Sequence, residues 1–161
     1  MKKFILDRQK PFLTIIALYQ LLGGIGMLVL MFWTYGLAGF FFSIVGTLPA
    51  LIFCLLSVYA GYKYFTKGYD EKFYVLTLIT LWLQVIQVKA FGVTFAFFYF
   101  PSLAAGINGN IDLMLHFNLL AGYELDLNSS GFFLFINLVP VLLLVALDII
   151  DNTRAKEQLT I

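Results

Sequence analysis

Apolar residues run through the chain in long stretches, over about 11–34, 37–62, 73–100 and 131–150, broken by short polar segments. Each reaches the roughly 20 residues that a helix needs to cross a hydrocarbon core about 30 Å thick. The pattern predicts four transmembrane helices, over 11–34, 37–62, 73–90 and 131–150, forming an all-α membrane core. The start of the first stretch resembles a signal peptide in charge, but its apolar run exceeds the usual 7–15 residues and no A-x-A-like site follows, so a retained anchor is expected.

Within the second stretch, Ser43, Gly46, Ala50, Cys54, Ser57 and Gly61 recur at spacings of three and four and fall on one helix face. Lipid gives helices little hydrophobic reason to associate, so small residues that let backbones approach are a main route to packing. This face is expected to pack against another helix, of the same chain or of a second one. "LLGGIGM" in the first stretch brings Gly24 as a complementary small position, beside Gln20. Its G-x-G element has no strand before it and is no phosphate loop. Pro49 removes one backbone hydrogen bond inside the second helix.

The third stretch carries a polar stripe, Thr77, Thr80, Gln84 and Gln87, at spacings of three, four and three. Interhelical hydrogen bonds are its simplest use, and a pore-lining surface in an oligomer is the alternative. The fourth stretch holds Asn137 and Asp148 with Pro140 between them, and reads as a helix broken at the proline.

Between the third and fourth helices the period changes from helical to alternating. In "IDLMLHFNL", residues 111–119, every odd position is apolar, and "YELDLN", residues 123–128, repeats the alternation. These segments predict a small antiparallel β-sheet of three or four strands within an extracytoplasmic insert, 92–130. Leu120, Ala121 and Gly122 fit a three-residue hairpin loop, which sets His116 opposite Asp126 and Asn118 opposite Glu124. Asn108-Gly109 marks a second hairpin turn. An amphipathic interfacial helix over 111–124 is the competing reading. The polar face, Asp112, His116, Glu124 and Asp126 with Lys89 nearby, is a candidate surface for an ion or a partner, and a solvated sheet face has the same pattern.

Composition agrees with a membrane location: 61% of the 161 residues are apolar, 12% are charged, and mean hydropathy is +0.93. Soluble domains carry about 25% charged residues. Net charge is only +1, but nine of the ten Lys and Arg residues fall before the first stretch, between the second and third, or after the fourth. The positive-inside rule therefore predicts both termini cytoplasmic, in a plasma membrane. Lys89 is the exception. It lies 17 residues beyond Lys72, about 25 Å along a helix, which suggests a lysine at the outer end of the third helix, partnered by Asp112, Glu124 or Asp126.

Candidate chemistry is sparse. One cysteine, Cys54, excludes an intrachain disulfide or a C-x-x-C pair, and one histidine, His116, excludes a bis-histidine haem within the chain. No nucleophile with a base, no paired intramembrane carboxylates and no phosphate loop emerge. No metal, cofactor or nucleic acid is expected as a ligand, and the bilayer is the first partner. The expected function is a non-enzymatic polytopic protein that assembles through the small-residue face of the second helix, as a homo-oligomer or an accessory subunit, with the outer sheet as recognition surface. The alternative is a small oligomeric channel or transporter, including a membrane-acting effector or its immunity protein, lined by the polar stripe. An enzyme acting on lipid or quinone would need Asp148, Lys89 or His116.

Overall fold

Helices dominate the computed structural model, which describes residues 9–42, 44–90, 93–98, 102–108, 110–116, 120–125 and 132–158. Helix α1 spans Gln9–Phe42 and α2 spans Ile44–Lys67, with Pro49 inside it. Gly68 ends α2 at φ 74°, a left-handed conformation that suits glycine, and its N–H reaches the Tyr64 carbonyl at 2.8 Å. Two residues later Asp70 caps α3, Glu71–Val85, by accepting the Phe73 N–H at 2.7 Å. The connection is short enough to set α2 and α3 side by side.

Helix α3 does not run to residue 90. Ile86 already has extended backbone, φ −104° and ψ 129°, and β1, Ile86–Ala90, continues the chain without a loop. The same junction recurs in reverse at the last helix. Strand β6, Phe133–Asn137, leads directly into α4, Leu138–Gln158. Asn137 is therefore not beside a helix break; its Oδ1 accepts the Val139 N–H at 3.2 Å and caps α4. Pro140 falls in the first turn, where its missing N–H has no intrahelical acceptor to lose. Both corrections shorten the predicted helices on the same side of the bundle.

Between these junctions lie β2, Val93–Phe98, β3, Ser102–Asn108, β4, Asn110–His116, and β5, Leu120–Leu125. The insert is thus an antiparallel sheet, larger than expected: six strands in the order β4-β3-β6-β1-β2-β5. The strands that continue α3 and α4 sit at its centre. Strands β3 and β4 form a hairpin whose ladder closes at Asn108 and Asn110. The predicted hairpin of 111–119 with 123–128 does not form, because β4 pairs with β3 and β5 pairs with β2, at opposite edges. Residues 120–122 belong to β5 and not to a turn.

The bundle core has an apolar cluster around Leu13, Ala17, Phe73 and Leu147 and a second around Met27, Phe53 and Cys54. At the end of the bundle that holds the α2–α3 turn, Lys63 Nζ lies 3.1 Å from Asp70 Oδ2. Tyr69 donates to the Asp151 carboxylate of α4, and Thr14 and Tyr64 join α1 to α2 through their hydroxyls at 3.2 Å. Among the described residues two helical segments, Gln9–Trp33 and Leu48–Lys67, are long and apolar enough to cross a membrane.

Candidate functional site

The small residues of α2 meet α1 of the same chain. A methyl group on Gly61 would stand 2.6 Å from the Ala17 carbonyl oxygen, and one on Gly24 would stand 2.9 Å from the Cys54 carbonyl oxygen, so both backbones depend on glycine for their approach. Ala50 and Cys54 are buried in this seam with Met27 and Met31. Gly46 lies within α2, and Ser43 lies outside the described residues. Of the two partners the sequence left open, a helix of the same chain lies against this face: α1 covers it from Gly61 to Ala50.

At the middle of the seam stands a polar layer. Gln20 of α1 and Ser57 of α2 are fully buried, and Ser57 donates its hydroxyl to Gln20 Oε1. On α3, Thr77, Thr80 and Gln84 are fully buried, and Gln87 of β1 is nearly so. Gln84 Oε1 accepts from Tyr19 of α1 at 2.8 Å while its Nε2 donates to the Thr80 carbonyl at 3.0 Å. Thr80 returns its own hydroxyl to the Leu76 carbonyl at 2.9 Å. Thr77, Thr80 and Gln84 on the helix and Gln87 on the strand that follows all face the interior of one chain. Gln20 Nε2, Thr77 Oγ1, Gln87 Nε2 and Asn137 Nδ2 are buried without a hydrogen-bond partner among the described residues.

This layer is neutral. Among the described residues its hydrogen bonds run between amides, hydroxyls and backbone carbonyls, and none of them gives Ser57 a base that could activate it as a nucleophile. Its chemistry suits fixing one helix arrangement or holding an uncharged, hydrogen-bonding solute. The sequence had marked the α3 members; Gln20 was visible too, four residues before Gly24 and hence on the same face of α1.

The sheet separates what the sequence had grouped. Register aligns Lys89 with Thr94 and Thr94 with Glu124, so Lys89 and Glu124 occupy one row two strands apart. Asp112 and His116 lie on β4, at the far edge from Glu124, five strand spacings or about 24 Å away. Asp126 lies outside the described residues. A single ion site built from all of them is not formed, and among the described residues no group of three His, Cys, Asp or Glu could hold a metal. Lys89 itself is half-buried in β1, not at a helix end.

No protein-family model, no curated protein and no solved structure matches the chain. The functional reading rests on the residues alone.

Proposed function

We propose that the chain is a non-enzymatic, four-span membrane protein with both termini cytoplasmic, and that it assembles through its outer sheet. The observation that carries this reading is an inside-out distribution of polarity. The exposed positions form apolar stripes at helical spacing: Ile15, Leu18, Leu22, Ile25 and Val29 on α1, Leu48, Ile52, Leu55 and Tyr59 on α2, Val75, Ile79 and Trp82 on α3, Leu142 and Val145 on α4. Gln20, Ser57, Thr77, Thr80, Gln84 and Gln87 are inside. A protein in water would sort these the other way. The Lys63–Asp70 ion pair and the Tyr69–Asp151 bond lie at the end that holds the α2–α3 turn, the side that the positive-inside rule makes cytoplasmic.

With the small-residue seam used within the chain, the free backbone edge of β4 is the surface proposed for assembly as a homo-oligomer. Among the described residues it has β3 on one side and no second strand in the sheet order, whereas the other edge strand, β5, lies beside α2. Unpaired strand edges are templates for further pairing. Two copies of β4 running antiparallel about a two-fold axis would join the sheets. The test is a single-cysteine scan of residues 111–115 in a Cys54→Ser background, in native membranes. Self-pairing across a two-fold axis brings one position within disulfide reach of its own copy. Cross-linked dimer at that position is the expected outcome; no cross-link at any position, with a monomeric mass in lipid nanodiscs, would reject this mode of assembly.

A second reading, passage of a small uncharged solute through the bundle of one chain, is favoured by the unpartnered donors of the polar layer. Liposome flux that is unchanged by Gln84→Leu removes it.

A further inference from the structure

The two sides of the sheet differ in composition, and register makes the difference continuous. Tyr123, Phe95, Val88, Leu134, Ile107 and Ile111 form one row across all six strands. In the next row on the same face, Ile86 pairs with Ile136 and Ile136 with Ala105. Ile107 (49%), Ile136 (46%), Ile86 (46%) and Leu134 (39%) are exposed, and Val88 and Ala105 are half-buried. Lys89 and Gln87 point to the opposite face, where Phe135, Asn137 and Ala104 are buried. A wholly apolar open face is not suited to water.

Element lengths place this face at membrane depth. From their shared turn, α2 extends 24 residues, about 36 Å, while α3 extends 15, about 22 Å. Helix α3 by itself falls short of a core about 30 Å thick, and the remainder corresponds to two or three strand residues, Ile86 to Val88. Ile86 is also the last member of the exposed α3 stripe, following Val75, Ile79 and Trp82. The stripe and the sheet face are one surface.

We infer that the central strands β1, β6 and β3 replace transmembrane helix in the outer half of the membrane, with Ile86, Leu134, Ile136 and Ile107 against lipid acyl chains. This rests on the membrane reading above and corrects the picture of a sheet projecting into water. Open sheets are excluded from hydrocarbon because their edges leave backbone groups unpaired. Here β1 and β6 are paired on both sides, β3 pairs with β6 and β4, β5 lies beside α2, and the β4 edge is the one proposed above to pair with a second copy. Lys89 on β1 then marks the outer boundary of the core.

Spin labels at Ile107→Cys, Leu134→Cys and Ile136→Cys, in full-length Cys54→Ser protein in phosphatidylcholine nanodiscs, test the inference by collision with oxygen and with a water-soluble nickel chelate. Ile79→Cys on α3 is the lipid reference, Asn152→Cys the aqueous one, and quenching of Trp33 and Trp82 by brominated lipid reports insertion without any variant. The sheet sites are expected to match Ile79, with oxygen access several-fold above that at Asn152. Nickel access at the sheet with oxygen access at Ile79 would overturn the inference and leave the membrane reading standing. Nickel access at both, with unquenched tryptophans, would remove the membrane reading itself. Shielding of the sheet sites from both reagents would overturn the inference in favour of a covering protein.

Discussion

Helices α1 and α2 are held together along a seam of small residues, backbone nearly touching backbone, with side-chain bonds from Gln20 to Ser57 and between Thr14 and Tyr64. Helices α3 and α4 are joined differently. Beyond Val85 and before Leu138 both give way to strands, and β1 pairs with β6 over four residue pairs from Ile86↔Ile136 to Lys89↔Phe133. The first joint depends on the absence of side-chain atoms and the second on a ladder of backbone hydrogen bonds. A contact made by absence tolerates no addition, whereas a ladder tolerates side-chain change wherever strands keep their spacing. The sheet nevertheless has one position that behaves like the helix seam, and it marks where the two kinds of joint can be compared.

That position is Gly106. A methyl group there would lie 2.0 Å from the Leu134 carbonyl oxygen and 2.6 Å from the Phe135 Cα, both backbone atoms of β6. Gly106→Ala is expected to detach β3 and β4 from the sheet and to lower stability by about 3 kcal/mol or more. Loss of protease protection over 102–116 reads it, and a wild-type thermal midpoint in detergent would show that the ladder relaxes more readily than argued. Gly61→Ala comes next. Its methyl would meet the Ala17 carbonyl oxygen at 2.6 Å and Leu21 N at 2.8 Å, for a cost of about 1–3 kcal/mol, with Gly61→Leu worse. Thermal unfolding of the two variants side by side compares the joints directly.

Gln84→Leu should cost less. It removes the Tyr19 bond and leaves that hydroxyl to find another acceptor, and interhelical hydrogen bonds in membranes average about 0.6 kcal/mol. A double-mutant cycle with Tyr19→Phe isolates the coupling, and a coupling near zero would reduce the polar layer to filler. The smallest effect is at Asp70. Burial pushes its carboxyl up, but the Phe73 N–H and the Lys63 and Lys67 ammonium groups outweigh that and hold it below the usual carboxylate range. A carboxyl lowered in the fold contributes fully above its unfolded pKa of about 3.9 and loses that contribution as pH falls through the lower folded value. Acid unfolding of Asp70→Ala should therefore lose part of its pH dependence below about pH 4. With the side chain 35% exposed, solvent screens much of the ion pair and the cap supplies most of the effect.

The α2 seam was legible because a period of three and four in small residues is a local property of one helix. Its partner became legible only with α1, where Leu13, Ala17, Gln20, Gly24, Met27 and Met31 follow the matching period and are buried. The end of α3 misled because Gln87 satisfies two patterns at once. It continues the helical stripe from Gln84, and it also fits the alternation Ile86, Gln87, Val88, Lys89, in a stretch rich in β-branched residues. Asn137 with Pro140 misled in the same way, since a break within a helix and the start of one share the same residues. Alternation in 111–119 and 123–128 identified strands over 111–116 and 123–125 but not their neighbours, and it took 120–122 for a turn. Strand pairing is set by contacts distant in sequence, so Asp112 and Glu124 came out at opposite edges.

Strands β1 and β6 are adjacent in the middle of the sheet, and each is covalently the extension of a helix. No flexible linker separates either pair. A change in the tilt of α3 relative to α4 is therefore conveyed as shear along the ladder from Ile86↔Ile136 to Lys89↔Phe133, and the outer strands must turn with it. The joint works as a rigid hinge plate: reorientation of the two helices at one end becomes rotation of the whole sheet at the other.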